Sequence, residues 1–218
     1  MPNNALTRTI KRAIWFRSAR LLRKNTVRSI RQLEGLIESI EKQWRTAKSL
    51  GLTKYLVLYN SICFLLLLHY DFAVLSYNHA TEVDELKQNL YARQLALLLH
   101  EALEDVPAIL GGEFRRAVGT LPSGASHLSA LSPILKSLSS LRKTHQSQIA
   151  DIRNFVAAHR DHDALKQLEI MRGIRSIWLV SISSEFTEFL GNVARALTPL
   201  ITEMGKPGVI ISHYVGAA

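Results

Sequence analysis

Residues 52–78 most constrain the fold, because they form the most apolar stretch of the chain. The run Phe64-Leu65-Leu66-Leu67-Leu68 lies at its centre. A membrane-spanning helix needs about 20 mostly apolar residues, so this stretch is long enough. Asn60, His69 and Asp71 fall inside it, however, and a charge near the centre of a span costs on the order of 3 kcal/mol. We therefore expect the central buried helix of a bundle, and a membrane span is the alternative.

Apolar residues elsewhere recur at three- and four-residue steps, the spacing typical of amphipathic helices. Asn25 or Thr26 is predicted to cap a helix that ends at Gly51, and the next break falls near Thr81, where Asp84 completes a capping box. The helical patterns lie at residues 6–23, 26–50, 52–78, 82–105, 133–156 and 172–204. The predicted fold class is therefore all-α, a helical bundle with basic helices at its N-terminal end.

Glycine, proline and serine concentrate in residues 111–133, which predicts a loop or a broken pair of short helices. Pro107 is predicted to end the preceding helix, and Pro199 to end or kink the last one. We expect one all-helical domain over residues 1–204, with residues 111–133 as a loop-rich insertion. Residues 205–218 form a tail.

The net charge of +9 is concentrated at the N-terminal end. Residues 1–54 hold 13 Lys and Arg against 3 Asp and Glu, whereas the rest holds 14 against 15. Such a basic segment favours a polyanion such as nucleic acid or an anionic membrane surface, although a solvated helix face has the same composition. Arg12, Arg28 and Arg31 are the candidate RNA-binding residues here. No secretory signal is evident, and the single Cys63 excludes an intrachain disulfide, so we expect a cytoplasmic protein.

One stretch joins a guanidinium, an amide and an imidazole, namely Ile152-Arg153-Asn154-Phe155-Val156-Ala157-Ala158-His159-Arg160-Asp161. On an unbroken helix Arg153 and His159 would lie about 120° apart around the axis and about 9 Å apart along it, so they would not converge. Either the helix ends near Ala157 and His159 folds back, or two chains pair and each supplies one group. Asp161 can cap a following helix, which favours a break.

These residue types suit the cleavage of an RNA phosphodiester. A histidine titrates near neutral pH and can move a proton. An arginine stays charged and can hold phosphate oxygens with two donors. No metal or other cofactor is needed if the 2′-hydroxyl of RNA is the nucleophile. Arg153, Asn154 and His159 are thus the candidate catalytic residues, and Arg160 is a further candidate for RNA binding.

The Arg-Asn-(four residues)-His pattern resembles the Arg-x(4–6)-His signature of HEPN domains, with the usual polar residue directly after the arginine. The Ala-His-Arg-Asp context resembles the abortive-infection and toxin branch of that superfamily. This resemblance implies an all-α domain that forms a homodimer and a metal-independent endoribonuclease site shared between two chains. It implies that Arg153 stabilises the transition state, that His159 acts as acid or base, and that Asn154 supports both. An antitoxin protein is a further partner that such a toxin can have.

Other interpretations remain open. A non-catalytic helical module can use residues 1–54 to bind RNA, DNA or another protein. The pair His69 and Asp71 and the pair Arg93 and His100 are second-tier candidates for a cleft. A metal site is a weaker alternative because four ligands within five residues make poor tetrahedral geometry. That site would use His159, Asp161, His162 and Asp163.

Overall fold

The computed structural model describes the backbone of residues 5–152 and 176–206, and most side chains within residues 24–150 and 179–206. Over these ranges the chain forms six α-helices and no strand, which confirms the predicted all-α bundle. The helices are α1 (Ala5–Ser49), α2 (Thr53–Thr81), α3 (Glu85–Ile109), α4 (Gly112–Gly119), α5 (Gly124–Ile152) and α6 (Ser176–Met204).

Helix α2 is the centre of the bundle. It packs against α1, α3, α4 and α6, and its buried residues face more than one side, including Leu58, Ile62 and Phe72. Its length and its mean hydropathy of 1.6 would allow it to cross a membrane, and 44% of the apolar window is buried inside the protein. Contacts with four helices support the prediction of a central core helix.

Helix α1 is one continuous helix of 45 residues, so the predicted break at Asn25 and Thr26 is wrong. Capping residues have only a weak local preference for starting a helix, and a stripe of apolar residues that packs against a neighbouring helix overrides it. Here Leu33, Ile40 and Ala47 recur at seven-residue steps and are buried against α2. The N-terminal basic helices are therefore a single helix.

Two short turns set the path of the chain around α2. Gly51 has a φ of +68°, a left-handed conformation that glycine adopts without steric cost. It lies just after the end of α1, where the helix was predicted to stop. Helix α2 continues through Thr81, so the break predicted at residues 78–81 is a few residues too early. Asp84 is the N-cap of α3 and accepts a hydrogen bond from the Lys87 amide at 2.9 Å.

Residues 111–133 are not a loop but two helices separated by a turn, which agrees with the predicted broken pair except that the second helix is long. They contain α4, a short turn, and the first residues of α5, which continues through Pro133. Pro107 and Pro199 likewise lie inside helices rather than at helix ends. A proline inside a helix removes one backbone hydrogen bond and crowds the carbonyl four residues earlier, and packing of the surrounding apolar residues offsets that loss.

A buried hydrogen-bonded pair of side chains ties the start of α5 to the end of α6. His127 Nε2 lies 2.6 Å from Glu203 Oε2, and the Ser123 amide donates to Glu203 Oε1 at 2.9 Å. His127 and Glu203 are only 8% and 6% exposed. Burial raises the pKa of Glu203, but the hydrogen bonds from Ser123 and His127 outweigh burial and hold this pKa below its ordinary value of 4.5.

Candidate functional site

The predicted catalytic residues Arg153, Asn154 and His159 lie outside the described residues, as does Arg160. The description of α5 stops at Ile152 and that of α6 starts at Ser176, and the motif lies in the stretch between them.

Helices α5 and α6 run antiparallel in a single register. His127 pairs with Glu203 near one end, and His145 Nε2 lies 4.0 Å from Glu185 Oε2 further along. Residues that face each other on two antiparallel helices have numbers with a constant sum, and these two pairs have the same sum. By this register, Ile152 lies opposite the first turn of α6. The motif is therefore next in sequence to the last described residue of a helix that packs against α6.

Five basic positions share one face of α1, which we call the basic face. At 100° per residue they fall within an arc of about 80° and over about 21 Å of helix length. The buried positions of α1 centre about 180° away, and Arg28 and Arg31 are exposed accordingly. Arg12, a predicted RNA-binding residue, occupies a position about 120° from the centre of this face. The members are Arg17, Arg20, Lys24, Arg28 and Arg31.

A cavity of about 550 Å³ lies among α1, α2, α3 and α6. Its volume is within the range of about 300–1,000 Å³ that small-molecule sites occupy. Asn25, Thr26 and Ser29 of α1 form one wall, next to the basic face. Serines, threonines and two histidines dominate the rest of the lining, with Glu188 as the charged residue among the described side chains there.

Three polar side chains in this lining have no hydrogen-bond partner among the described residues. They are His79, through both ring nitrogens, and the hydroxyls of Ser76 and Ser183. His79 is 1% exposed and Ser183 is 3% exposed. Leaving a buried polar group unsatisfied costs about 1–3 kcal/mol, so three of them in one cavity indicate a place where a polar ligand would complete the bonding.

The two histidines of the cavity are poor sites for a positive charge. Burial lowers the pKa of His79 and also that of His69, because a charged imidazolium would lose its hydration. Both are therefore neutral imidazoles at neutral pH. Each then offers one donor and one acceptor, which makes the lining a mixed hydrogen-bonding surface without strong positive charge.

The second-tier candidates separate in the structure. His69 lines the 550 Å³ cavity, whereas Asp71 lines a smaller cavity of about 340 Å³ between α2 and α3. Arg93 and His100 are half-buried on α3, and neither lines the larger cavity. His69 is thus the one of these four that shares a cavity with unpartnered polar groups.

The sequence analysis missed Ser76, His79 and Ser183. Single serines and histidines on separate helices form no local pattern, and His79 falls where a helix break was predicted. The available signal was weak: Ser76 and His79 are three residues apart, so both lie on the same face of a helix that is otherwise apolar.

Comparison of the chain with known protein families, characterised proteins and solved structures finds no match.

Proposed function

We propose that the protein is a metal-independent endoribonuclease of the HEPN type, a toxin or phage-defence effector that acts as a homodimer. The observation that carries the proposal is the motif itself: Arg153, Asn154 and His159 have this spacing in a chain that is an all-α bundle over the described residues. In this reaction the 2′-hydroxyl attacks the adjacent phosphorus and the 5′-oxygen leaves. The products are a 2′,3′-cyclic phosphate and a 5′-hydroxyl.

Each candidate residue has a separate role in this reaction. His159 transfers a proton, either from the 2′-hydroxyl or to the leaving oxygen. Arg153 stabilises the charge that develops on the phosphate oxygens. Asn154 orients one of them through its amide. The basic face of α1 supports a polyanionic substrate, since its exposed arginines are available for phosphate contacts.

The test is cleavage of labelled RNA by purified variants. We expect Arg153→Ala and His159→Ala each to lower the rate at least 100-fold without changing the thermal stability. His162→Ala is the matched control, because it removes a neighbouring histidine that has no role in the proposed reaction. Cleavage at the wild-type rate by the Arg153→Ala/His159→Ala double variant would refute the proposal. Equal loss in His162→Ala, together with inhibition by a chelator, would favour a metal site instead.

A mixing experiment distinguishes the two ways of bringing Arg153 and His159 together. If the pair is formed between chains, a dimer of one Arg153→Ala chain and one His159→Ala chain retains one intact site. Mixing the two inactive proteins then restores up to about a quarter of the wild-type activity, because half of the dimers are mixed and each has one of two sites. If the pair is formed within one chain, mixing restores nothing.

A second candidate function, a non-catalytic RNA-binding module, is favoured by the exposed Arg28 and Arg31 on the basic face. In that case RNA binding weakens steeply with salt and is independent of His159. Binding by His159→Ala with the affinity of the wild type, combined with no cleavage by the wild type under any metal condition, would support this candidate over the nuclease.

A further inference from the structure

The 550 Å³ cavity is adjacent to the basic face but differs from it in chemistry. Asn25 and Ser29 line the cavity, while Arg28, three residues from Asn25, is exposed beside it. Residues three apart on a helix are surface neighbours, with Cβ atoms about 5–6 Å apart. A ligand that enters the cavity is therefore within reach of the first cation of the basic face.

The lining of the cavity disfavours a negatively charged occupant. It holds no Lys or Arg among the described residues, and it includes the carboxylate of Glu188. An anion placed beside His79 and Ser183 would be desolvated without a compensating positive charge, which is costly. A phosphate group is therefore expected outside the cavity, on the basic face, and an uncharged group inside it.

The unpartnered groups specify what the uncharged group must offer. His79 presents a donor and an acceptor, and the hydroxyls of Ser76 and Ser183 can each do either. Ala73, Ala80 and Leu95 supply apolar surface, and Tyr77 supplies an aromatic ring on which a planar ligand can stack. Nucleobases combine a flat apolar face with an edge that carries both donors and acceptors.

We propose that this cavity binds one uncharged nucleobase of a single-stranded RNA whose phosphates lie along the basic face of α1. The inference rests on RNA being the ligand, as in the proposed function, but not on Arg153 and His159 being catalytic. It gives the protein a site for recognising one base of the RNA.

The first test compares oligonucleotides that differ only in their bases. Labelled 2′-O-methyl oligomers of A, C, G or U lack the attacking hydroxyl, so they are not cleaved while fluorescence anisotropy reports binding. We expect the best of them to bind at least 10-fold more tightly than an abasic oligomer of the same length. Equal binding of the abasic oligomer would overturn the proposal.

The four free nucleosides show the source of the base. Stabilisation of the protein by a nucleoside alone indicates that the cavity also takes the free compound. Binding that depends on the oligomer indicates a base within a strand.

The second test uses serine variants of matched chemistry. Ser183→Ala and Ser76→Ala remove hydroxyls that have no partner, so we expect the unfolding temperature to be unchanged or raised and oligomer binding to fall about 5- to 10-fold. Ser61→Ala is the control: Ser61 is buried on α2 but donates to the Ile109 carbonyl at 3.4 Å, outside this cavity. It should leave binding unchanged. Wild-type binding by both cavity variants would refute the assignment of the site.

The two proposals fail in different ways. If the wild type discriminates against the abasic oligomer but cleaves no RNA, the nuclease is refuted and the base site stands. If it cleaves RNA but binds the abasic oligomer equally well, the base site is refuted and the nuclease stands.

Discussion

Removing the carboxylate of Glu203 is expected to destabilise the fold more than any other single change at a charged residue described here. Glu203 accepts the Ser123 amide at 2.9 Å and lies 2.6 Å from His127 Nε2, in a place where both side chains are nearly inaccessible. Each hydrogen bond to a charged group contributes about 1.5–3 kcal/mol, and Glu203 accepts two of them. We therefore expect Glu203→Ala to lower the free energy of unfolding by about 4 kcal/mol at pH 7.

Urea unfolding followed by circular dichroism measures this loss. For a chain of this size the unfolding temperature should fall by roughly 10 °C. Glu104→Ala is the matched control, because its pair with Arg142 at 2.8 Å also joins two helices but is exposed to solvent. An exposed pair contributes only about 0–1 kcal/mol. Equal effects of the two substitutions would refute the reasoning from burial.

The pH dependence supplies an independent check on Glu203. Its pKa is lower in the folded protein than in the unfolded chain, so its stabilising contribution is present above the unfolded pKa, near 4.5, and is lost as the pH falls through the folded pKa. The difference in stability between wild type and Glu203→Ala should therefore narrow below about pH 4.5. A difference that stays constant from pH 7 to pH 3 would contradict the assignment.

Three further outcomes follow from other parts of the molecule. Asp84→Ala, which removes the side-chain cap of α3, should cost about 1 kcal/mol in urea unfolding, and Asp84→Asn should restore most of it. Gly51→Ala should cost about 1 kcal/mol through backbone strain alone, since a Cβ there meets no neighbouring atom within 4 Å. The Arg28→Gln/Arg31→Gln double variant should bind RNA more weakly at low salt and show a shallower dependence of affinity on salt by about 2 units of slope, and an unchanged slope would exclude the basic face as the RNA-binding surface.

The helical character of the chain was predictable because apolar periodicity reports burial, and burial dominates the energetics of a bundle. The central position of α2 in the bundle was predictable from the apolar run at residues 64–68. The ends of helices were predicted less well. Asn25 and Thr26 are good caps in isolation, yet continued packing against α2 contributes more than a cap. Pro107, Pro133 and Pro199 lie in helices for the same reason.

The polar contacts between distant residues were not predictable from local pattern. His127 and Glu203 are 76 residues apart, and nothing in the sequence around either one indicates the other. The cavity depends in the same way on residues from four helices. By contrast, Arg153, Asn154 and His159 are close in sequence, and their assignment stays a prediction that rests on residue types and spacing.

The tie between Ser123, His127 and Glu203 lies at the opposite end of the α5–α6 pair from residues 153–175. His145 and Glu185 lie near each other further along the same two helices. The hydrogen bonds of the tie are made entirely by residues outside 153–175, so variants of the motif residues should keep them.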